Sequence, residues 1–150
     1  MSDFEREIVN CLNRYFKKNN LQGFAFRLKP QKTGISCADV LADSPDPAYN
    51  LSIECKSIID TKLYFSQHFH SDKQGLHPVD AIADFLAKSG RTGYLAIEFR
   101  QPPGKENRAF LIPWGTVVEH FRKNQGISIS DPGKYREFGR SREGYILEDL

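Results

Sequence analysis

The sequence has no run of 18 consecutive apolar residues, about the length a membrane-crossing helix needs, and its opening Met1-Ser-Asp-Phe-Glu-Arg-Glu7 is charged where a secretory leader is apolar. A soluble, intracellular (cytoplasmic) protein is expected. Cysteine is scarce: Cys11, Cys37 and Cys55 are odd in number and lack CxxC spacing, which excludes a disulfide framework and a cysteine zinc site and leaves three reduced, small core residues. There is no internal repeat and no low-complexity tract. Net charge is also nearly absent, +2 from 21 basic and 19 acidic side chains. What is present, 150 residues with 39% hydrophobic and 12% aromatic content, is enough for one packed core and too apolar for a disordered chain. A single domain over 1–150 is expected.

Phe4, Ile8, Cys11, Leu12, Tyr15 and Phe16 recur at helical spacing and predict an amphipathic helix from about residue 3 to 19. Asn19, Asn20 and Gly23 stop it. Strands follow at Phe24 to Leu28, Ala38 to Ala42 and Leu51 to Ser57, with a loop from Lys29 to Gly34 and a turn from Ser44 to Asn50. Leu63 to Phe65 reads as a short extension and Ser66 to His77 as irregular chain. Pro78 opens a helix that Gly90 ends; Tyr94 to Phe99 and Ala109 to Ile112 are strands, and Pro113 starts a helix to about Asn124. The order is α-β-β-β-α-β-β-α, an α/β domain with a charged C-terminal segment, 126–150, whose packing the pattern leaves open.

If the second and third strands pair antiparallel about a turn between Asp46 and Pro47, Asp39 lies opposite Glu54. Lys56 then projects from the same face as Glu54, and Cys55 points the other way. Opposed like charges repel by about 4 kcal/mol at a separation near 4 Å and an effective dielectric near 20, so the arrangement asks for a cation. An oxygen-loving divalent ion such as Mg²⁺ takes one or two carboxylates and keeps waters; it can polarise a phosphodiester and acidify a bound water, while a lysine orients that water. Glu5 shares a helical face with Ile8 and Leu12 and is a candidate extra ligand or base. Each residue alone also fits a plainer role: Asp39 beside a turn, Glu54 paired with Lys56 on a solvated face, Glu5 reaching back to Ser2 in a capping box.

Asp39 followed by Ile53-Glu54-Cys55-Lys56-Ser57, after the helix carrying Glu5 and the strand Gly23-Phe-Ala-Phe-Arg27, resembles the PD-(D/E)xK nuclease superfamily, specifically archaeal Holliday-junction resolvases. The resemblance continues through Lys62-Leu-Tyr64, Asp84 to Gly90, Tyr94 to Ile97, Phe110 to Pro113 and Ile146 to Asp149. It implies a restriction-endonuclease-like fold, a central mixed β-sheet flanked by helices, and a homodimer acting on four-way or branched DNA. Glu5, Asp39, Glu54 and Lys56 would be catalytic. Glu5, Asp39, Glu54 and the Cys55 backbone carbonyl would hold Mg²⁺, or Mn²⁺ in its place. Arg27, Lys29, Lys32, Ser57 and Gln67 would contact DNA, Gln74 being the alternative to Gln67. Ala38 stands where the motif has proline, and 66–77 is an insertion. The other readings of the same fold are a restriction-like or repair nuclease acting on duplex, flap or single-stranded DNA, and a nuclease-dead DNA-binding paralogue.

The insertion carries His68, His70 and His77 near Asp72, either a transition-metal site or a polar loop reaching DNA or solvent. Gly34 with Lys29, Lys32, Thr33 and Ser36 reads as a basic flap, and Trp114 as a core or dimer-interface anchor. The small net charge is a cancellation. Between Ile8 and Ala38 lie Arg14, Lys17, Lys18, Arg27, Lys29 and Lys32 with no acid, whereas Asp39 to Asp60 holds Asp39, Asp43, Asp46, Glu54 and Asp60 against Lys56 alone. A block that can grip phosphate stands beside one that can hold metal.

Overall fold

The predicted apolar stripe becomes the buried face of α1 (Asp3–Lys18): Phe4, Ile8, Cys11, Leu12, Tyr15 and Phe16 are all buried. Full burial of a large apolar side chain is worth roughly 1.5–3 kcal/mol, so Phe4 and Ile8 fix the roll of the first helical turn and with it the direction of Glu5 between them. Acids at the start of α1 and lysines at its end both suit the helix dipole. The computed structural model describes residues 3–29, 38–70, 75–130 and 135–150. The basic flap (Lys32, Thr33, Gly34, Ser36), Cys37, Ser2 of the capping box, Asp72 and Gln74 lie outside the described residues.

After α1 the chain turns through Asn20, which takes a left-handed φ of 54°, into β1 (Phe24–Arg27). A side chain at Gly23 would meet the Phe16 ring at 3.2 Å, so glycine lets the turn close on the helix. β2 (Val40–Asp43) and β3 (Leu51–Ile58) form the expected hairpin, closed by a 3₁₀ turn at Pro47–Tyr49 whose Ala48 N–H donates to Asp46. Its register pairs Val40 with Ile53, Leu41 with Ser52 and Ala42 with Leu51, the register that puts Asp39 beside Glu54. After β4 (Lys62–Leu63) and the single turn α2 (Phe65–His68), α3 (Pro78–Ser89) crosses over to β5 (Thr92–Phe99), which runs parallel to β3 along eight residue pairs. Pro78 opens α3 and Gly90 ends it at φ 72°, both as predicted.

β6 (Arg108–Pro113) is antiparallel to β5 and leads into α4 (Trp114–Arg122). The segment beyond Gly126 then supplies β7 (Ile127–Ser128), β8 (Arg136–Glu137), β9 (Gly139–Ser141) and β10 (Gly144–Ile146). The six-stranded sheet has the order β1-β2-β3-β5-β6-β8 and is mixed, with helices on both faces, the expected fold class. α1 and the β9–β10 hairpin cover one face, through Ile8, Leu12, Phe16, Val40, Ile53 and Tyr145. α3 and α4 cover the other, through Val79, Ile82, Val117, Leu95, Ile97 and Ile112.

Two expectations are corrected and one open point is closed. The element order is richer than α-β-β-β-α-β-β-α, because strands of two or three residues are too short to show a period. The C-terminal segment is packed: β8 extends the sheet, and Tyr145 and Leu147 are core residues. The stretch Ser66 to His77 is not wholly irregular, since α2 and Phe69 bury against the α4 side. Trp114 is a core anchor with its indole N–H donated to the Val79 carbonyl, 3.3 Å away.

One polar cluster is sealed beneath α1. Glu98, 6% exposed, accepts hydrogen bonds from Ser57 Oγ at 2.6 Å and from Tyr145 Oη at 2.5 Å. A buried carboxylate stripped of a donor loses far more than the net value of the bond. Tyr145→Phe is therefore expected to lower unfolding stability by about 1–3 kcal/mol with the fold retained. Urea denaturation checks it, and unchanged stability would show that Glu98 does not depend on this donor.

Candidate active site

β2 and β3 part company at Asp39. The Asp39 N–H still donates to Ile53 O at 3.1 Å and its carbonyl accepts from Leu28 N at 2.9 Å, but the next ladder donor, Cys55 N–H, goes to the Asp39 carboxylate at 2.8 Å. A side chain thus replaces a backbone acceptor, which is why β2 begins at Val40 rather than at Ala38. The bond also aims Asp39 at β3, next to Glu54. At the far end of the hairpin Arg91 donates to the carbonyls of Ala42 and Leu51 and pairs with Asp43 at 2.8 Å, so the strands are clamped where they do not part.

Glu54 and Lys56 share the α3/α4 face, with Lys56 Nζ 3.5 Å from Glu54 Oε1 and 4.7 Å from the centre of the Phe69 ring. The ring and the carboxylate hold the ammonium from two sides. Burial, more than any neighbouring charge, raises the pKa of both carboxyls. For Asp39 the Cys55 N–H opposes that shift and Glu5 adds to it; for Glu54 the Asp39 charge adds to it and Lys56 opposes it, the result lying at about 8. The hydrogen bond between the two carboxyls raises the Glu54 pKa and lowers that of Asp39, so Glu54 is the member pushed towards the neutral form.

Glu5 approaches from the first turn of α1, close enough for its charge to act on Asp39, but its Oε2 accepts from Arg27 Nε at 2.5 Å. Two expectations change here. Glu5 is tied to Arg27 rather than gathered with Asp39 and Glu54, and Arg27 is committed to a carboxylate rather than standing free for phosphate. Ser57 is corrected as well: the strand alternation turns it to the opposite face from Lys56, onto Glu98. Gln67 lies against Asp60 at 3.4 Å instead of against the carboxylates, and Lys29 is exposed just beyond β1.

The histidines do not form a metal site. His68 Nδ1 accepts from Tyr64 N–H at 2.8 Å and its Nε2 faces Asp60 at 3.1 Å. His77 Nδ1 accepts from Val79 N–H as the cap of α3, its Nε2 faces the Phe65 carbonyl, and its ring stacks on Phe121 at 4.3 Å. An Nδ1 that accepts leaves the proton on Nε2 in a neutral ring, so both nitrogens of each are occupied. His70 is exposed. Among the described residues no group of three or more His, Cys, Asp and Glu side chains is placed to hold a metal.

What remains is the pair Asp39 and Glu54 with the backbone carbonyl of Cys55, the residue after Glu54. Burial and the adjacent carboxylates push the Cys55 thiol up, so it stays protonated and is no thiolate ligand. An all-oxygen set with only two carboxylates fits Mg²⁺ or Mn²⁺ and fits neither zinc nor copper. Phe69, Arg91 and Glu98 are contributors that the sequence did not disclose. Arg91 and Glu98 lie far along the chain from the motif, and Phe69, though only 13 residues past Lys56, sits in a stretch without a clear period; only the β3–β5 register, which sets Glu98 against Ser57, could have signalled any of them.

No protein-family model matches the chain, and no curated protein matches it. Among solved structures it is similar to Archaeoglobus fulgidus Hjc, a Holliday junction resolvase from an archaeal hyperthermophile, at 21% identity over 75% of each chain with a TM-score of 0.46.

A carboxyl whose folded pKa is raised contributes stability below its unfolded value of 4.5 and loses it as pH rises through the folded value of about 8. In chelator, Glu54→Gln should match wild type near pH 5 and become more stable by the order of 1–3 kcal/mol as pH passes about 8. Thermal and urea melts across that range check it; a constant gap would show that Glu54 is not under charge stress.

Proposed function

We propose that this chain is a metal-dependent, structure-selective endodeoxyribonuclease that resolves four-way DNA junctions by phosphodiester hydrolysis. The observation that carries the hydrolytic reading is the parting of β2 and β3 at Asp39, which sets two pKa-raised carboxyls side by side with the Lys56 ammonium 3.5 Å from one of them. Isolated surface ion pairs need no such arrangement. A pair of desolvated carboxyls held against their mutual repulsion is the donor set of a hard divalent cation. The junction as substrate rests on the ordered motifs from Glu5 through Asp149, and the homodimer, with two such sites for paired cuts, follows from the same resemblance.

Within that reading Asp39, Glu54 and the Cys55 carbonyl hold Mg²⁺ or Mn²⁺, which when bound polarises the scissile phosphate and acidifies a coordinated water. Asp39 arrives oriented, because the Cys55 N–H leaves it one direction to face. Lys56, steadied by Phe69, donates to the attacking water or to the charge that develops on phosphate. A cation bound there would displace the proton of the Glu54 carboxyl to solvent and take over from Lys56 the balancing of the pair's charge. Glu5, fixed by Arg27, contributes negative potential to the same place without sharing a ligand position. Lys29 and the flap that contains Lys32 stand next to this edge in sequence and supply phosphate contacts.

Purified protein with Mg²⁺ should cut a synthetic four-way junction in paired strands and leave linear duplex of the same sequence largely intact. Chelator should stop the cutting and Mg²⁺ restore it. Asp39→Asn should lose about 10²–10³-fold or more in single-turnover rate while binding the junction, the scale of a lost electrostatic contact in a transition state. Equal cutting of junction and duplex would replace the resolvase by a repair-type nuclease; binding without cutting would leave only a DNA-binding protein.

A further inference from the structure

The far end of α1 has no part in the site just described, yet it carries a cluster of basic side chains of which Arg14 alone is paired. Arg14, Lys17 and Lys18 of α1 face Arg142 of the β9–β10 turn across a groove of about 1000 Å³. Arg14 Nη2 donates to the Tyr145 carbonyl at 2.9 Å, which ties hairpin to helix and makes the groove a fixed feature rather than a chance gap. Of its apolar lining Cys11, Tyr15, Tyr145 and Leu147 are buried and Ile146 is half-buried, so the exposed rim carries Lys17, Lys18 and Arg142 beside Ser141 and Glu143. None of those three basic side chains enters an ion pair among the described residues. The single lining carboxylate, Glu143, stands 3.9 Å from Arg14.

Like charges gathered round one groove repel each other, and an extended polyanion removes that repulsion. The volume is at the upper limit for a small-ligand pocket and the groove is open, which suits a length of backbone better than a compact molecule. At 1.5 Å per residue, Lys17 lies about 18 Å along α1 from Glu5, so the groove is a contact separate from the carboxylate pair.

We propose that the groove between α1 and the β9–β10 hairpin is a second DNA-backbone contact, gripping phosphates apart from the one presented to Asp39 and Glu54. The inference rests on the nuclease reading for the identity of the polyanion. It assigns Lys17, Lys18 and Arg142 to holding an arm of the substrate, so that substrates wide enough to reach both ends of α1 are favoured over short duplex ends. Such contacts fix position and carry no sequence information.

The test uses the full chain and a fluorescent synthetic four-way junction in chelator, so that binding is read without cutting. Lys17→Ala/Lys18→Ala/Arg142→Ala should weaken binding at least tenfold at about 100 mM salt and reduce the slope of log K against log salt by about 2–3, the counterions of three lost phosphate contacts. A charge-retaining variant, Lys17→Arg/Lys18→Arg/Arg142→Lys, should stay within about twofold of wild type and show that folding is intact. Wild-type affinity and slope in the alanine variant would overturn the groove. So would a polyglutamate peptide that displaces the junction at equal charge concentration, since the groove would then favour acidic protein segments. If wild type cuts junctions and the alanine variant binds like wild type, the groove alone fails. If wild type cuts nothing while the alanine variant loses binding, the nuclease reading fails and the groove stands.

Discussion

The hydrogen bond from Cys55 N–H to the Asp39 carboxylate is the constraint from which the site follows. A sheet that zipped fully would have given Cys55 a carbonyl partner and left Asp39 free to swing into solvent. By taking that donor, Asp39 unzips β2 from β3 at one residue, buries its own carboxyl and commits it to the neighbourhood of Glu54. The cost is local. Directly below, the Val40–Ile53 pair is fully buried, and at the other end Arg91 bridges the carbonyls of both strands, so the split cannot travel. A carboxylate pair that would dissolve an isolated hairpin is tolerated because the hairpin has no other freedom.

β3 carries the consequence to both faces of the sheet. Even-numbered Glu54 and Lys56 stand on the α3/α4 side, where Phe69 supports the lysine; odd-numbered Cys55 and Ser57 stand on the α1 side, where Ser57 feeds the Glu98–Tyr145 cluster. The eight-residue parallel register with β5 and the three-residue register with β2 hold this strand on both edges. Tyr145 belongs to the C-terminal hairpin, so the last strands of the chain brace the strand that bears the catalytic candidates. A charged segment whose packing the sequence pattern leaves open is a structural support for this strand.

The parts of this arrangement that were legible in the sequence are those governed by period and by local turn chemistry. The α1 stripe, the boundaries of α3 at Pro78 and Gly90, and the β2–β3 register that pairs Asp39 with Glu54 all follow from spacing within some twenty residues. The parts that were not legible depend on partners far along the chain. Nothing near Arg27 says that Glu5 will claim it, and nothing near Ser57 says that Glu98 will; alternation assigns Ser57 to the face away from Lys56, but only the β5 register supplies the acceptor. Short strands such as β8 are set by the edge they extend and carry no period of their own. The histidines show the same limit from another side: His77 is spaced like a ligand and serves as a helix cap stacked on Phe121.

Charge is where sequence and structure have to be read together. The basic block before Asp39 looks uniform in sequence, but the fold divides it into members with different work. Arg27 is spent on Glu5 and steadies a negative potential beside Asp39, and Arg14 is spent on the Tyr145 carbonyl and fastens the hairpin. Lys17 and Lys18 are left at the surface, and the fold brings them Arg142 from the opposite end of the chain. The near-neutral total therefore hides two opposite fields at the two ends of one helix. The negative end attracts a cation and repels phosphate until that cation is present, whereas the positive end attracts phosphate at all times. On the proposed reading, DNA would dock at the lysines before the carboxylate pair accepts it, and a bound metal would be the condition for the second contact rather than for the first.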